Sequence, residues 1–266
     1  MNGRYGIARS TPLLVLVVVL LATAAATLAT RQAAAQPAPL LVAAASDLRP
    51  AFEAIGTLFQ EGTGQQVVFV FGSSGMLTQQ LEAGAPYDVF ASADPSYIDA
   101  LQEKGRVIPL TRGVFALGRI VLAVRSGSAI RLQRMEDILQ PSVRFVTMAN
   151  PDHAPYGMAA RQALRAAGVW EQVKQRIVYA DNAAVAVRFL ETGSADAGIV
   201  PLSLAKAAGL DYTLIDVDLY DPLQQMLVVV QNSKQDKVGR EFLAFVNSPP
   251  GQEILSAYGY VLPGEH

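Results

Sequence analysis

LLVAAASDL, at residues 40–48, reads as a short apolar strand that runs directly into the start of a helix. The strand is predicted over residues 40–45, and Asp47 is predicted to cap a helix that continues to about Phe59. Pro50 fits this helix because proline is tolerated in the first turn. The same strand-to-helix order recurs along the chain, and it predicts an α/β fold of mainly parallel sheets flanked by helices.

Two strand-like segments, Val114–Val124 and Gln225–Val230, stand where a chain would cross between two lobes. We therefore predict a two-lobe fold with a ligand-binding cleft between the lobes. Residues 36–118 would form lobe 1 and residues 119–224 lobe 2. Residues 225–266 would then cross back and complete lobe 1 with the C-terminal helices. About 100 residues suit each lobe.

The first 35 residues have the plan of a secretory signal peptide. Arg4 and Arg9 precede an unbroken apolar run from Leu13 to Leu21, and small residues at 33–35 suit a cleavage site. A retained membrane anchor is the alternative, but an apolar run of nine residues is short for a membrane span. We predict cleavage after Ala35 and export to the periplasm. Cleavage would remove three arginines and no acidic residue, which changes the formal charge from −2 to −5.

The composition excludes several classes of function. The chain has no cysteine and two histidines, so disulfides, cysteine-ligated metals, thiol nucleophiles and lipid anchoring on an N-terminal cysteine are excluded. An acidic balance does not favour nucleic acid as a partner. The chain lacks the G-x-S-x-G, H-E-x-x-H and Walker motifs. We predict a protein that is not an enzyme and has no cofactor; a secreted serine hydrolase using Ser74 or Ser46 with His153 is a remote alternative.

Four junctions between a strand and a helix carry small or hydroxyl residues. A helix N-terminus has unpaired N–H groups and a partial positive charge, and parallel sheets place several such ends at one edge. Each junction taken singly has ordinary capping as its alternative explanation. Together they favour a site for an oxyanion that is held without lysine or arginine. The junctions are Ala43–Asp47, Phe71–Gly75, His153–Gly157 and Asp181–Ala184.

Five motifs of this chain resemble segments of the periplasmic molybdate-binding proteins of ABC importers, a family of type II substrate-binding proteins. The resemblance runs from about residue 39 to the C-terminus, with the motifs in the family's order. The motifs are LVAAASDL (41–48), FGSSG (71–75), EAGAPYDVFASAD (82–94), NPDHAPYG (150–157) and ETGSADAGIV (191–200).

The resemblance implies that a molybdate or tungstate dianion is held by hydrogen bonds alone. By position, Ser46 and Ser74 would donate hydroxyl and backbone N–H groups, and Tyr156 and Ala183 would donate backbone N–H groups. Many members have a tyrosine where this chain has Pro201. That contact would be missing or supplied by another residue, such as the Tyr156 hydroxyl.

The resemblance also implies a periplasmic monomer that delivers its ligand to an ABC permease in the inner membrane. The same fold could instead hold another oxyanion, such as sulfate or phosphate, and this alternative stays open. Sequence alone leaves the preference between molybdate and tungstate open as well.

Overall fold

The strand predicted at residues 40–45 is the first of ten strands in the computed structural model, which describes residues 38–265. The predicted signal peptide, residues 1–35, lies outside the described residues. From Pro39 onward the chain forms one unit. Its strands are β1 (Leu40–Ala45), β2 (Val67–Gly72), β3 (Val89–Ser92), β4 (Gly113–Gly118), β5 (Ile120–Val124), β6 (Val146–Ala149), β7 (Ile177–Ala180), β8 (Ala197–Pro201), β9 (Asp211–Leu214) and β10 (Leu223–Val229).

Helices alternate with these strands, as the sequence predicts. The α-helices of the described chain are α1 (Arg49–Thr63), α2 (Ser74–Glu82), α3 (Pro95–Glu103), α4 (Pro155–Ala166), α5 (Trp170–Val173), α6 (Ala183–Glu191), α7 (Leu202–Ala207), α8 (Asp236–Val246) and α9 (Pro249–Ala257). Short 3-10 helices lie at Ser46–Leu48, Pro109–Thr111, Met135–Leu139, Lys174–Arg176 and Val217–Leu219. None of these helices is long and apolar enough to cross a membrane.

The strands form two five-stranded sheets, one for each lobe. Their orders are β2-β1-β3-β10-β4 and β7-β6-β8-β5-β9. In the first sheet β1 is parallel to β2 and β3, whereas β10 is antiparallel to β3 and β4. The second sheet repeats this plan, with β5 as its antiparallel strand. Four of five strands in each sheet therefore share one direction, which confirms the predicted two-lobe α/β fold.

The antiparallel strand of each sheet is the one that arrives from the other lobe. The segment predicted as the first crossing consists of two strands, β4 and β5, which lie in different sheets and are joined at Arg119. The return to the first sheet occurs between Leu214, where β9 ends, and Leu223, where β10 begins. The lobe boundaries at residues 118 and 224 stay predictions.

The helix after β1 differs from its prediction. It begins at Arg49 instead of next to Asp47, because the chain first makes the 3-10 helix Ser46–Leu48. No side chain caps the start of α1, so the capping role predicted for Asp47 is wrong. The helix continues to Thr63 and ends where Gly64 adopts a left-handed conformation with φ +73°.

Two other helix starts are fixed by side-chain capping bonds. Asp94 Oδ1 accepts a hydrogen bond of 2.8 Å from the Ser96 N–H at the start of α3. Asn182 Oδ1 accepts hydrogen bonds from the N–H groups of Ala184 and Val185, at 3.0 and 3.2 Å. Such caps fix where a helix begins to within one residue, so they also fix which N–H groups stay unpaired.

A cluster of phenylalanine rings anchors α1 and α8 in the core of the first lobe. Phe52 and Phe59 lie on the buried face of α1, and both contact Phe242 of α8 edge to face, with ring centroids 6.0 and 5.4 Å apart. Phe52 also packs on Phe115 of β4. This packing holds α1, and with it the 3-10 helix that precedes it, in a fixed position at the end of β1.

Candidate functional site

All four residues predicted to bind the oxyanion line one small cavity. Ser46 and Ser74 come from the first lobe, and Tyr156 and Ala183 come from the second. Each lies at the start of a helix and each is at most 4% exposed. Residues 45, 47, 72, 73, 93, 154 and 155 complete the wall.

The two serines of the first lobe supply hydroxyl groups. Ser74 Oγ accepts a hydrogen bond of 3.1 Å from the Ala93 N–H, and its own proton has no acceptor within residues 38–265. A hydroxyl that already accepts from one side donates best to the other, and here that side is the cavity. The Ser46 hydroxyl has no protein partner in the described chain. Both hydroxyls are therefore available to a bound acceptor.

The second lobe supplies backbone N–H groups. The Asn182 side chain caps the N–H groups of Ala184 and Val185, which leaves the Ala183 N–H unpaired at the start of α6. At the start of α4, the Ala154 carbonyl oxygen accepts hydrogen bonds from the N–H groups of the two residues that follow Tyr156. The Tyr156 N–H, like that of Ala183, has no hydrogen-bond partner in the described chain. Each group also lies at the positive end of its helix.

The positive potential that an anion would meet in the cavity comes from helix dipoles and not from charged side chains. Among residues 38–265, no lysine, arginine or histidine lines the wall. Two hydroxyls and two N–H groups converge from both lobes, which suits an oxyanion with several equivalent acceptor oxygens. The partial charge of each helix start adds favourable energy without the cost of burying a cation.

The lobes touch at the rim of this cavity through His153. Its carbonyl oxygen accepts a hydrogen bond of 3.0 Å from the Gly75 N–H, and its Nδ1 lies 2.8 Å from Ser73 Oγ. The contact is close because Gly75 has no side chain: a Cβ there would lie 2.8 Å from the His153 carbonyl oxygen. His153 faces Ser73 and not Ser74 or Ser46, and within the described residues no carboxylate hydrogen-bonds to it.

The Tyr156 hydroxyl, suggested as a replacement for the contact missing at Pro201, has protein partners of its own. It is fully buried and accepts a hydrogen bond of 3.3 Å from Gln225 Nε2, in the strand that returns to the first lobe. Burial and the nearby Asp47 carboxylate raise the pKa of the Tyr156 hydroxyl well above its usual value. Gly118 is needed beside this ring, because a Cβ there would overlap the hydroxyl. The hydroxyl thus belongs to an inter-lobe network.

Asp47 is the residue of the site that the sequence reasoning missed. Its side chain is buried, and Tyr260 donates a hydrogen bond of 2.8 Å to its Oδ2. Ser203 donates one of 2.9 Å to its backbone carbonyl oxygen. Burial raises the pKa of the Asp47 carboxyl to about 6, although hydrogen bonds from Tyr260 and Tyr156 oppose the rise. Tyr260 lies 213 residues away, so no local pattern indicated this contact.

Larger cavities lie elsewhere but lack this convergence. One of about 660 Å³ lies beside β5 and β9 and is lined by apolar side chains together with Arg134 and Glu136. No three His, Asp or Glu residues in the described part of the chain are placed to hold a metal ion. The small cavity between the helix starts is therefore the candidate site, because its hydrogen-bond donors point to one place from both lobes.

Comparisons with known proteins identify relatives over most of the chain. The family described as bacterial extracellular solute-binding protein matches residues 40–261. The molybdate-binding protein ModA of Rhodobacter capsulatus is 34% identical over 220 residues, which are 82% of this chain and 86% of that protein. ModA of Azotobacter vinelandii is 31% identical over 233 residues, 86% and 92% of the two chains.

Solved structures give the same result. The structure of the Azotobacter vinelandii periplasmic molybdate-binding protein superposes with a TM-score of 0.80 and 30% identity, over 84% of this chain and 99% of that one. The family match, residues 40–261, spans both sheets and all the residues that line the cavity. This chain belongs to the family of bacterial extracellular solute-binding proteins.

Proposed function

We propose that this protein captures molybdate in the cavity between its lobes and delivers it to an ABC permease. The observation that carries the proposal is the convergence of two hydroxyls and two N–H groups, from Ser46, Ser74, Tyr156 and Ala183, on one cavity without a cation. Relatives at 34% and 31% identity that are named molybdate-binding proteins support this ligand.

Capture works by closing the two lobes on the anion. Each lobe alone offers half of the donors, so the full set of hydrogen bonds forms only when the lobes meet. The contact of Gly75 with His153 belongs to that closed arrangement and seals the rim next to the donors. A permease that binds the closed form would thereby respond to the loaded protein and not to the empty one.

Tungstate should bind in the same way, because it is also a fully ionised tetrahedral dianion of similar size. Sulfate and phosphate are the competing ligands. Sulfate has the same charge and shape but is smaller, so a rigid cavity would leave its oxygens farther from some donors. Hydrogen phosphate carries a proton and therefore needs a hydrogen-bond acceptor, whereas the two backbone N–H groups of the site can only donate.

The cellular setting follows from the same proposal. We expect cleavage after Ala35, release into the periplasm, action as a monomer and no resident cofactor, with molybdenum present only in the transported anion. The two-lobe relatives are binding proteins of transport systems, and this supports a protein that is not an enzyme. The placement of His153 against Ser73 gives the hydrolase alternative no further support.

A panel of four oxyanions tests the ligand. Thermal unfolding of the purified protein is measured with molybdate, tungstate, sulfate and phosphate, followed by titration calorimetry of each stabilising anion. A ligand present at one hundred times its Kd stabilises the folded state by about 2.7 kcal/mol, so specific binding is readily seen. We expect stabilisation by molybdate and tungstate.

Stabilisation by sulfate or phosphate alone would refute the molybdate assignment and leave the oxyanion site in place. Turnover of ester substrates that is lost in Ser73→Ala or Ser74→Ala would instead favour the hydrolase.

A further inference from the structure

One wall residue of the cavity, Asp47, is an acceptor where the other polar groups are donors. It follows Ser46 directly in the 3-10 helix, and its side chain is 1% exposed. An ionised carboxylate here would lie beside a doubly charged anion in a place that water does not reach. Like charges at such close range disfavour each other strongly when both are buried.

The groups that face the Asp47 carboxyl are neutral. Tyr260 donates to Oδ2, and the Tyr156 hydroxyl and the Gln225 amide lie next to the carboxyl from the second lobe and from β10. Ser203 of α7 bonds to the Asp47 backbone oxygen. No ion pair to Asp47 exists in the described part of the chain.

Charged residues on the helices packed against the 3-10 helix point elsewhere. In α1, the Arg49 guanidinium lies 4.4 Å above the Phe71 ring and 3.3 Å from Glu53. In α7, Lys206 Nζ donates to the Ala257 carbonyl oxygen. At α6, the charged side chains are exposed, namely Asp181, Arg188 and Glu191. Within the described residues, no cation therefore lies against the carboxyl to offset a bound dianion.

Protonation removes this conflict. A protonated carboxyl is neutral, so protonation of Asp47 removes its repulsion of a bound dianion while the carboxyl stays in contact with Tyr260. Burial already brings the pKa of Asp47 to about 6. The charge of a nearby dianion raises the pKa of a carboxyl further.

We propose that Asp47 takes up one proton from solvent when the protein captures a fully ionised oxyanion, and that this neutral acid forms part of the binding wall. The inference rests on the proposed function and deepens it. It assigns to the site a preference for dianions that carry no proton of their own.

The pH dependence of molybdate affinity tests the inference. Molybdate is fully ionised from pH 6 to 8.5, so any dependence in this range comes from the protein. Uptake of one proton makes Kd rise up to tenfold for each pH unit above about 6, until the pKa of the bound state is reached. In Asp47→Asn, which cannot titrate, Kd should stay constant over this range.

A matched carboxylate serves as the control. Asp88 is also buried, accepts hydrogen bonds from the Leu41 N–H at 2.9 Å and the Ser233 hydroxyl at 2.6 Å, and does not line the cavity. Asp88→Asn should keep the full pH dependence of the wild type. Tyr260→Phe removes a hydrogen bond that favours the ionised form, so the rise in Kd should begin at a higher pH.

Calorimetry of the wild-type protein counts the protons directly. Titrations at pH 7.5 in buffers of different ionisation enthalpy should show uptake of close to one proton for each molybdate bound. A wild-type Kd that is independent of pH, or a slope that persists in Asp47→Asn, would overturn the inference while leaving the binding function intact.

Two further outcomes are decisive. Tighter binding of phosphate than of molybdate at pH 8 would mean that an ionised Asp47 accepts the proton of hydrogen phosphate, which also overturns the inference. Failure of every oxyanion to bind at any pH would refute the proposed function itself.

Discussion

Adding one methyl group at Gly75 should disturb the closure of the two lobes more than it disturbs folding. Gly75 lies in the first turn of α2, and a Cβ there would lie 2.8 Å from the His153 carbonyl oxygen and 3.0 Å from the His153 Cβ. The nearest atom is a backbone oxygen, which cannot move aside by a change of side-chain rotamer. The helix itself accepts alanine, because the φ of Gly75 is not positive. We therefore expect Gly75→Ala to keep the two lobes slightly apart.

The cost can be worked from the contacts that separation would break. These are the hydrogen bond from the Gly75 N–H to His153 and the one between Ser73 and His153 Nδ1. At about 0.5–1.5 kcal/mol each, their loss amounts to about 1–3 kcal/mol, or a rise in Kd of roughly 5- to 150-fold. Titration calorimetry with molybdate measures this change, and thermal unfolding without ligand reports on the fold.

Gly62→Ala is the matched control for this experiment. Gly62 also lies in a helix, α1, and a Cβ there meets nothing within 4 Å. This variant should bind molybdate as the wild type does. A Kd for Gly75→Ala within twofold of the wild type, or an equal loss in both variants, would refute the argument that this contact belongs to the closed, ligand-holding state.

Three further predictions concern the wall of the cavity. Ser74→Ala should weaken molybdate binding by at least about 1 kcal/mol in calorimetry, whereas exposed Ser96→Ala should not. Ala183→Pro should weaken it by about 1.5–3 kcal/mol, because proline fits the first helical position but lacks the N–H; Ala183→Ser keeps the N–H and should bind nearly normally. For Asp47, a folded-state pKa of about 6 against 3.8 means that the folded protein holds the extra proton. Stability without ligand should therefore fall by about 2 kcal/mol as pH rises from 4 to 6, relative to Asp47→Asn in urea unfolding, and a constant difference would contradict this.

Much of the fold could be predicted because its determinants are local. Apolar runs such as residues 40–45 form strands, and Asp94 and Asn182 start helices through bonds to N–H groups two or three residues away. The two crossing segments, Val114–Val124 and Gln225–Val230, were also visible in the sequence as strand-like runs. The four site residues converge because each follows the end of a strand and those ends lie at the same edges of the two sheets.

What could not be predicted depends on contacts between distant parts of the chain. Asp47 has the sequence context of a helix cap. Its carboxyl is buried because the chain forms a 3-10 helix at this point and because Tyr260, distant in sequence, packs against it and donates a hydrogen bond. The partner of His153 is likewise set by how the lobes meet, so the sequence could place His153 at a junction between strand and helix but could not identify Ser73 as its partner.

The inter-lobe network and the anion site share residues, and this couples closure to binding. Tyr156 offers its backbone N–H to the cavity, while its hydroxyl bonds to Gln225 in the returning strand and lies beside Gly118 at the end of the outgoing strand. Asp47 bonds through its backbone to Ser203 of the second lobe. A rotation of the lobes must change these bonds and move the donors in the same step. The acidic charge of the chain is then no obstacle to an anionic ligand, because affinity is set by donors that converge only when the connecting strands are in their closed positions.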